Sequence, residues 1–176
     1  MKIEIEEIHL NGLNLKVFTE QDAVDYCSLN NINSDDIIIL NLWNNELTDI
    51  SGIKLFKNLE ILYLNYNNIK SIKSLKNLTK LQQLYLDNNK LNNISVIKNL
   101  NNLEYLYIGN NEIKDISVIK DLNNLMILDI ENLRLESDQV QYINQCLNLE
   151  SLNCIDGFKD KFTAELINNN IELNNL

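Results

Sequence analysis

The chain has 176 residues and a mass of 20.5 kDa, a length suited to one domain, and its 25 carboxylates against 15 basic residues give a formal charge of −10. That charge argues against direct nucleic-acid binding, and the absence of Pro, the four Gly and the 45% hydrophobic content exclude collagen-like chains and most Pro/Gly-rich disordered ones. A single His removes most catalytic constellations, and the three Cys (Cys27, Cys146, Cys154) match no metal-ligand spacing and read as reduced thiols.

Asn supplies 33 residues and Leu 31, a bias that resolves into a repeat of 22 residues. In chain order, residues 1–36 form a degenerate first unit, with Ile5, Ile8, Leu10, Leu13 and Leu15 on positions one, four, six, nine and eleven. Its opening MKIEIEEIHL is charged and alternating where a signal peptide is continuously apolar, so the expected location is cytoplasmic, with no membrane contact. Thr19 then opens TEQDAVDYCSL, an N-cap followed by Ala23, Val24 and Cys27 at helical spacing, which predicts an α-helix.

Residues 37–124 hold four regular blocks that begin at Ile37, Leu59, Leu81 and Leu103. Each repeats LxxLxLxxNxL: Leu40, Leu62, Leu84 and Leu106 at position four, Leu42, Leu64, Leu86 and Ile108 at six, Asn45, Asn67, Asn89 and Asn111 at nine, and Leu47, Ile69, Leu91 and Ile113 at eleven. Alternation at four and six predicts a short strand with one buried face. Further apolar residues at fourteen, seventeen and twenty are spaced by three, which suits 3₁₀ turns better than an α-helix. The Asn at nine sits where the chain leaves the strand, and its amide can satisfy backbone groups left unpaired there.

Residues 125–176 are degenerate again. Leu125, Leu128, Ile130, Leu133 and Leu135 keep the frame, with Leu133 replacing the Asn as Leu13 does at the other end. Ser137 opens SDQVQYINQCL, with Val140, Ile143 and Leu147 predicting a second α-helix. A strand near Leu149, Leu152 and Cys154, a helix around Thr163 to Ile167 and an edge strand at Ile171 and Leu173 complete the expected order, within one domain over 1–176. Terminal units of this kind must cover the ends of a one-dimensional core.

With these motifs, and with runs such as NNEIKDISVIKDLNN, the sequence resembles leucine-rich repeat proteins, in particular the short repeats of internalins and of phosphatase-regulating members. The resemblance is strong over residues 37–135. It implies an α/β leucine-rich repeat solenoid: a curved parallel sheet on the concave side, short 3₁₀ turns on the convex side, and α-helices in the terminal repeats. Internalins usually carry Pro in the return segment, a secretion signal and a surface anchor, so the expectation of surface display is not carried over.

In such a ladder, positions three, five and seven face the concave surface. Position three reads Ile39, Ile61, Gln83, Tyr105, Ile127; position five reads Asn41, Tyr63, Tyr85, Tyr107, Asp129; position seven reads Trp43, Asn65, Asp87, Gly109, Glu131. Tyr66, at position eight, lies on the margin. The fifteen residues include the only Trp and four of the seven Tyr, and none is Lys or Arg, whereas Lys54, Lys57, Lys70, Lys73, Lys76, Lys98, Lys114 and Lys120 fall on the returns. The candidate contact residues are therefore Ile39, Trp43, Ile61, Tyr63, Tyr66, Tyr85, Asp87, Tyr105, Tyr107, Asp129 and Glu131. Trp and Tyr dominate protein interfaces, and an apolar patch calls for a partner; cross-strand Tyr neighbours also stabilise a sheet by roughly 0.2–1 kcal/mol per pair, and both effects operate together.

No catalytic residue, cofactor or metal is expected. His9 stands near Glu7 on the first strand, about six strands from Cys154, on the order of 29 Å at strand spacing, and the cysteines read as small buried hydrophobes. Asp87, Asp129 and Glu131 read as solvated partner contacts before they read as cation ligands. The expected function is a non-enzymatic protein-binding module, monomeric, whose acidic face selects a basic partner and acts preferably as an inhibitor, of immunity or anti-defence type, of a nucleic-acid-binding enzyme. Alternatives are a regulatory subunit or scaffold for a phosphatase-like enzyme, and an internalin-like adhesion protein. An enzyme or small-ligand reading of the Tyr-rich surface is weakened by the lack of an enclosing pocket on an open sheet.

Overall fold

The computed structural model describes residues 7–154 and 171–174. Eight three-residue strands, β1 (Glu7–His9), β2 (Ile39–Asn41), β3 (Ile61–Tyr63), β4 (Gln83–Tyr85), β5 (Tyr105–Tyr107), β6 (Ile127–Asp129), β7 (Ser151–Asn153) and β8 (Glu172–Asn174), form one curved parallel sheet in sequence order. Each strand pairs with the next at equal repeat positions: Leu40 lies opposite Leu62, Leu62 opposite Leu84 and Leu84 opposite Leu106. The 3₁₀ turns expected on the returns are present at Ser51–Leu55, Lys73–Leu75, Ser95–Asn99 and Ser117–Asp121. Apolar positions one, four, six, eleven, fourteen, seventeen and twenty of the four regular repeats are all buried, so every repeat delivers seven side chains to a core that runs the length of the solenoid.

Two features of the backbone explain how the chain turns without Pro. Position eight leaves the strand through the left-handed region, at Asn44, Tyr66, Asn88, Asn110 and Asn132, with φ between 53° (Asn110) and 57° (Asn88). Position nine then folds its amide back into the stack. Asn67 Nδ2 donates to the carbonyls of Leu42 and Leu64, each at 3.0 Å, while its Oδ1 accepts from the Leu47 N–H at 3.0 Å. Asn89 does the same with Leu64, Leu86 and the Ile69 N–H, and Asn111 with Leu86, Ile108 and the Leu91 N–H. Each amide therefore ties its own repeat to the one before it.

A second ladder runs at the other end of the strands. At the last position of the repeat, Asn58, Asn102 and Asn124 donate to the Asp35, Thr79 and Asn101 carbonyls of the preceding repeat, at 2.6, 2.8 and 2.7 Å. Asn148 makes the equivalent bond to Asn123.

The N-terminal unit is closed by α1 (Glu20–Asn30), as the Thr19 signal predicts. Thr19 and Asp22 form a reciprocal capping box, and these hydrogen bonds hold the Asp22 carboxyl below its ordinary value. Ala23 and Cys27 are buried against the 3₁₀ turn at Ser51–Leu55. The approach is close enough to require glycine: a Cβ on Gly52 would lie 2.3 Å from the Thr19 carbonyl oxygen, which is why the Gly52 N–H reaches the Phe18 carbonyl at 2.8 Å. Val24, placed on the buried face by its spacing, is instead exposed, because Ala23 and Cys27 take the contact. Leu13 at position nine is likewise 56% exposed, and its N–H and that of Leu15 donate to Asn45 of the next repeat.

The second helix is shorter than its sequence suggests. Ser137 is not an N-cap; Ser137–Gln139 form a 3₁₀ turn behind Glu136, and α2 is the single turn Val140–Ile143. Gln139 turns inward, accepting at 3.0 Å from the Ile116 N–H, and i to i+3 bonds from Cys146 to Ile143 and from Leu149 to Cys146 end the helix early. Leu147 is consequently 85% exposed, while Val140 and Ile143 are buried as expected. The strand at β7 and the edge strand at β8 are present, and Ile171 packs partly against the core. The helix expected around Thr163 to Ile167 and the first apolar position, Ile5, lie outside the described residues. Among the described residues no helix is long and apolar enough to cross a membrane.

The amide ladder gives a direct stability test. Asn89→Ala removes one acceptor and two donors at a buried turn, and urea unfolding is expected to show a loss of about 2–3 kcal/mol, since each stranded buried partner costs roughly 1–3 kcal/mol.

Candidate concave interface

The sheet's register decides the concave face. Side chains at four and six point into the core, so three, five and seven line the other surface, and each column stacks on itself at strand spacing. Tyr63, Tyr85 and Tyr107 form a continuous stack: ring centroids are 4.6 Å apart between the first pair and 4.7 Å between the second, with interplanar angles of 18° and 12°. The Tyr85 hydroxyl donates to Gln83 Oε1 at 3.1 Å. Burial within the stack, together with its tyrosine neighbours and Asp87, pushes the Tyr85 hydroxyl up to about 12, and Tyr107 is raised by burial and Asp129.

Asx side chains end the stack at both sides. Asn41 Oδ1 accepts from the Trp43 N–H at 3.1 Å and Asp129 Oδ1 from the Glu131 N–H at 2.9 Å, each fixing the turn at the end of its own strand. For Asp129 this corrects the expectation of a solvated contact. The residue is only 6% exposed, because its carboxylate lies over Gly109, where a Cβ would come within 2.5 Å of Oδ1. Ile39, Ile61, Tyr105 and Ile127 are half-buried by their column neighbours and add less open apolar surface than the pattern suggests.

The most exposed aromatic surface stands beside the stack. Trp43 is 39% exposed and Tyr66 52%, and their rings meet edge to face with centroids 6.4 Å apart. Asp87 and Glu131 are half-buried on the following repeats. Burial is the main cause that raises the Asp87 carboxyl; Asp129 and Glu131 add to it, and the 2.8 Å hydrogen bond from Asn88 partly opposes it. The Lys residues of the returns are all exposed, and none of the fifteen concave positions is Lys or Arg. Two features were not singled out in the sequence: the left-handed position eight, visible as repeated NN pairs, and Asn65, whose buried Oδ1 has no hydrogen-bond partner among the described residues.

His9 pairs with Glu7 at 3.1 Å on β1, and the three thiols are buried. Burial pushes the Cys146 thiol up to about 12 and raises Cys27, which disfavours the reactive thiolate. No group of three His, Cys, Asp or Glu among the described residues is close enough to hold a metal ion. One groove is lined by Asn92, Asn110, Lys114 and Arg134 among others, and another by Glu60, Lys80 and Glu104; no residue of the aromatic columns lines either.

Residues 35–77 and 57–99 each match the family described as Leucine Rich repeats (2 copies). An internalin of Listeria monocytogenes superposes with a TM-score of 0.70 and 26% identity, covering 78% of this chain and 41% of its own. Internalin C2 of the same organism gives 0.70 at 22% identity over 98% of this chain and 81% of its own, a likeness of fold alone. A leucine-rich repeat protein of Leptospira interrogans gives 0.72 at 26% identity over 96% of this chain and 42% of its own. The chain thus spans about two-fifths of the length of the first and third. No curated protein matches it.

Two titrations check the electrostatics of the face. Unfolded tyrosine ionises near 10, so the folded chain keeps protons that the unfolded chain releases, and stability is expected to fall as pH rises from about 10 toward 12. Tyr85→Phe should flatten that fall in urea melts across the window. Asp87 is also raised on folding, so its contribution is full below the unfolded value and is lost as pH rises through the folded one. Asp87→Asn should therefore melt higher than the parent chain at pH 7, with the difference closing below about pH 4.

Proposed function

We propose, from a fold like that of leucine-rich repeat proteins and the repeat matches over residues 35–77 and 57–99, that the chain binds a protein partner through its aromatic concave face and acts by occluding that partner. Leucine-rich repeat domains are in general interaction modules, since an extended concave sheet offers contact area without an enclosed pocket. The observation that carries the reading is the aromatic surface itself. Trp43, Tyr63, Tyr66, Tyr85 and Tyr107 lie in adjoining columns of a face without a single Lys or Arg in its fifteen positions.

The partner this face favours is basic. A formal charge of −10, with no Lys or Arg at the fifteen concave positions, attracts a cationic surface and raises association rates. A nucleic-acid-binding enzyme inside the cell carries such a surface, and covering it inhibits it without any chemistry by the chain. A second reading, adhesion at a cell surface, draws on the likeness to internalins, of the first of which this chain covers 41%.

Capture from a lysate of the source organism tests the proposal. Intact chain and a Tyr63→Ala, Tyr85→Ala, Tyr107→Ala variant, both shown to be folded by circular dichroism, serve as baits. The variant should lose at least about tenfold in affinity for the recovered protein, the scale of one interface hot spot. Titration of intact chain into that protein's activity assay should then lower its rate. Equal recovery by both baits would move the binding surface to the Lys-bearing returns.

A further inference from the structure

Position eight is occupied by residues that tolerate a left-handed backbone in every described repeat but one. Gly12, Asn44, Asn88, Asn110 and Asn132 hold it at φ 67°, 54°, 57°, 53° and 56°, and the exception is Tyr66 at 56°. A Tyr in this region is an outlier, because its Cβ crowds the backbone where Gly has none and Asn can bond locally. Burial does not compensate for the strain: the side chain is 52% exposed, and its one ring contact among the described residues is with Trp43, itself 39% exposed. A sequence that writes Asn at the four other strand exits of the regular frame departs from it where the result is a second exposed aromatic ring.

The surroundings of that pair favour one kind of ligand group. Tyr66 N–H donates to the Asp87 carbonyl at 3.1 Å, so the Asp87 side chain stands on the next rung. Its carboxylate has no cation paired with it among the described residues, and Glu131 lies two rungs further along the same column. Two electron-rich ring faces and a carboxylate are complementary to a cation with N–H donors.

We infer that Trp43 and Tyr66 are the anchor of the interface, and that they receive an Arg or Lys side chain of a protein partner, its charge against the rings and its N–H donors on the Asp87 carboxylate. The inference rests on the concave-face reading above and narrows it to one end of the face. It also gives the strained backbone at Tyr66 a reason, since strain persists where function needs the side chain.

The test uses the intact chain and a random-peptide phage library, with enriched peptides then synthesised. Trp43 is the only Trp, so its emission reports binding at the anchor directly. Enriched peptides are expected to carry Arg or Lys, to shift Trp43 emission, and to lose affinity when that residue is exchanged for citrulline or acetyl-lysine. Tyr66→Asn should weaken them about tenfold or more, while raising the melting temperature by roughly 2–4 °C, the shift that relief of such strain gives a chain of this size. Tyr66→Phe should bind as the parent does. Neutral or acidic peptides, an absence of binding peptides, or a lower melting temperature for Tyr66→Asn would overturn the anchor. Peptides that the Tyr66→Asn chain still binds but the triple Tyr variant does not would overturn the anchor and leave the concave-face reading standing; peptides indifferent to both would overturn both.

Discussion

A turn repeated in every rung, with each exit from the strand leaving carbonyls that face neither solvent nor another strand, is what the solenoid has to solve. The amide at position nine solves it by donating to its own strand and to the strand before, while accepting from the previous repeat's N–H. Because Asn67, Asn89 and Asn111 all make the same set of bonds, rung height is fixed by side-chain geometry as well as by the sheet. A short strand of three residues would hold register poorly alone. The amides hold the rungs at one end, and the outer ladder of Asn58, Asn102 and Asn124 holds three of the four regular repeats at the other, Lys80 standing in its place in the fourth.

The concave face is a consequence of that grip. Equal repeat positions are brought opposite one another, so any residue type that recurs at position five stacks on itself, and the Tyr rings at 4.6 and 4.7 Å sit at the spacing the strands impose. The same stacking buries Asp87, which raises its carboxyl, and Asp129 and Glu131 add to the shift. Stacked phenols and unneutralised carboxylates are individually tolerable in a ladder whose core is seven side chains deep per repeat.

The central repeats were fully legible because 22-residue phase, apolar position and Asn recur without exception, and each repeat meets only copies of itself. Legibility failed where neighbours differ. Ser137 has the residues of a helix start, yet Gln139 is drawn inward to the Ile116 N–H and only one helical turn survives. Val24 and Leu147 have helical spacing but no surface to cover them. Asp129 shares position five with three tyrosines, and what removes it from solvent is a glycine two positions along the neighbouring strand, at Gly109. Tyr66 interrupts the NN pairs that mark position eight, and only the backbone shows that those pairs mean a left-handed exit from the strand.

By itself, therefore, the sequence determined the repeat, the buried columns, the parallel order of the strands and the segregation of Lys from the aromatic face, all of which follow from period and residue type. Tertiary structure alone decided which concave side chains remain open: Trp43 and Tyr66 are presented, Asp87 is half-covered, and Asp129 is enclosed. The reason is that periodicity fixes the direction of a side chain, whereas exposure depends on the volume of its neighbours on adjoining strands, as the missing Cβ of Gly109 and the edge-to-face contact of Trp43 with Tyr66 show.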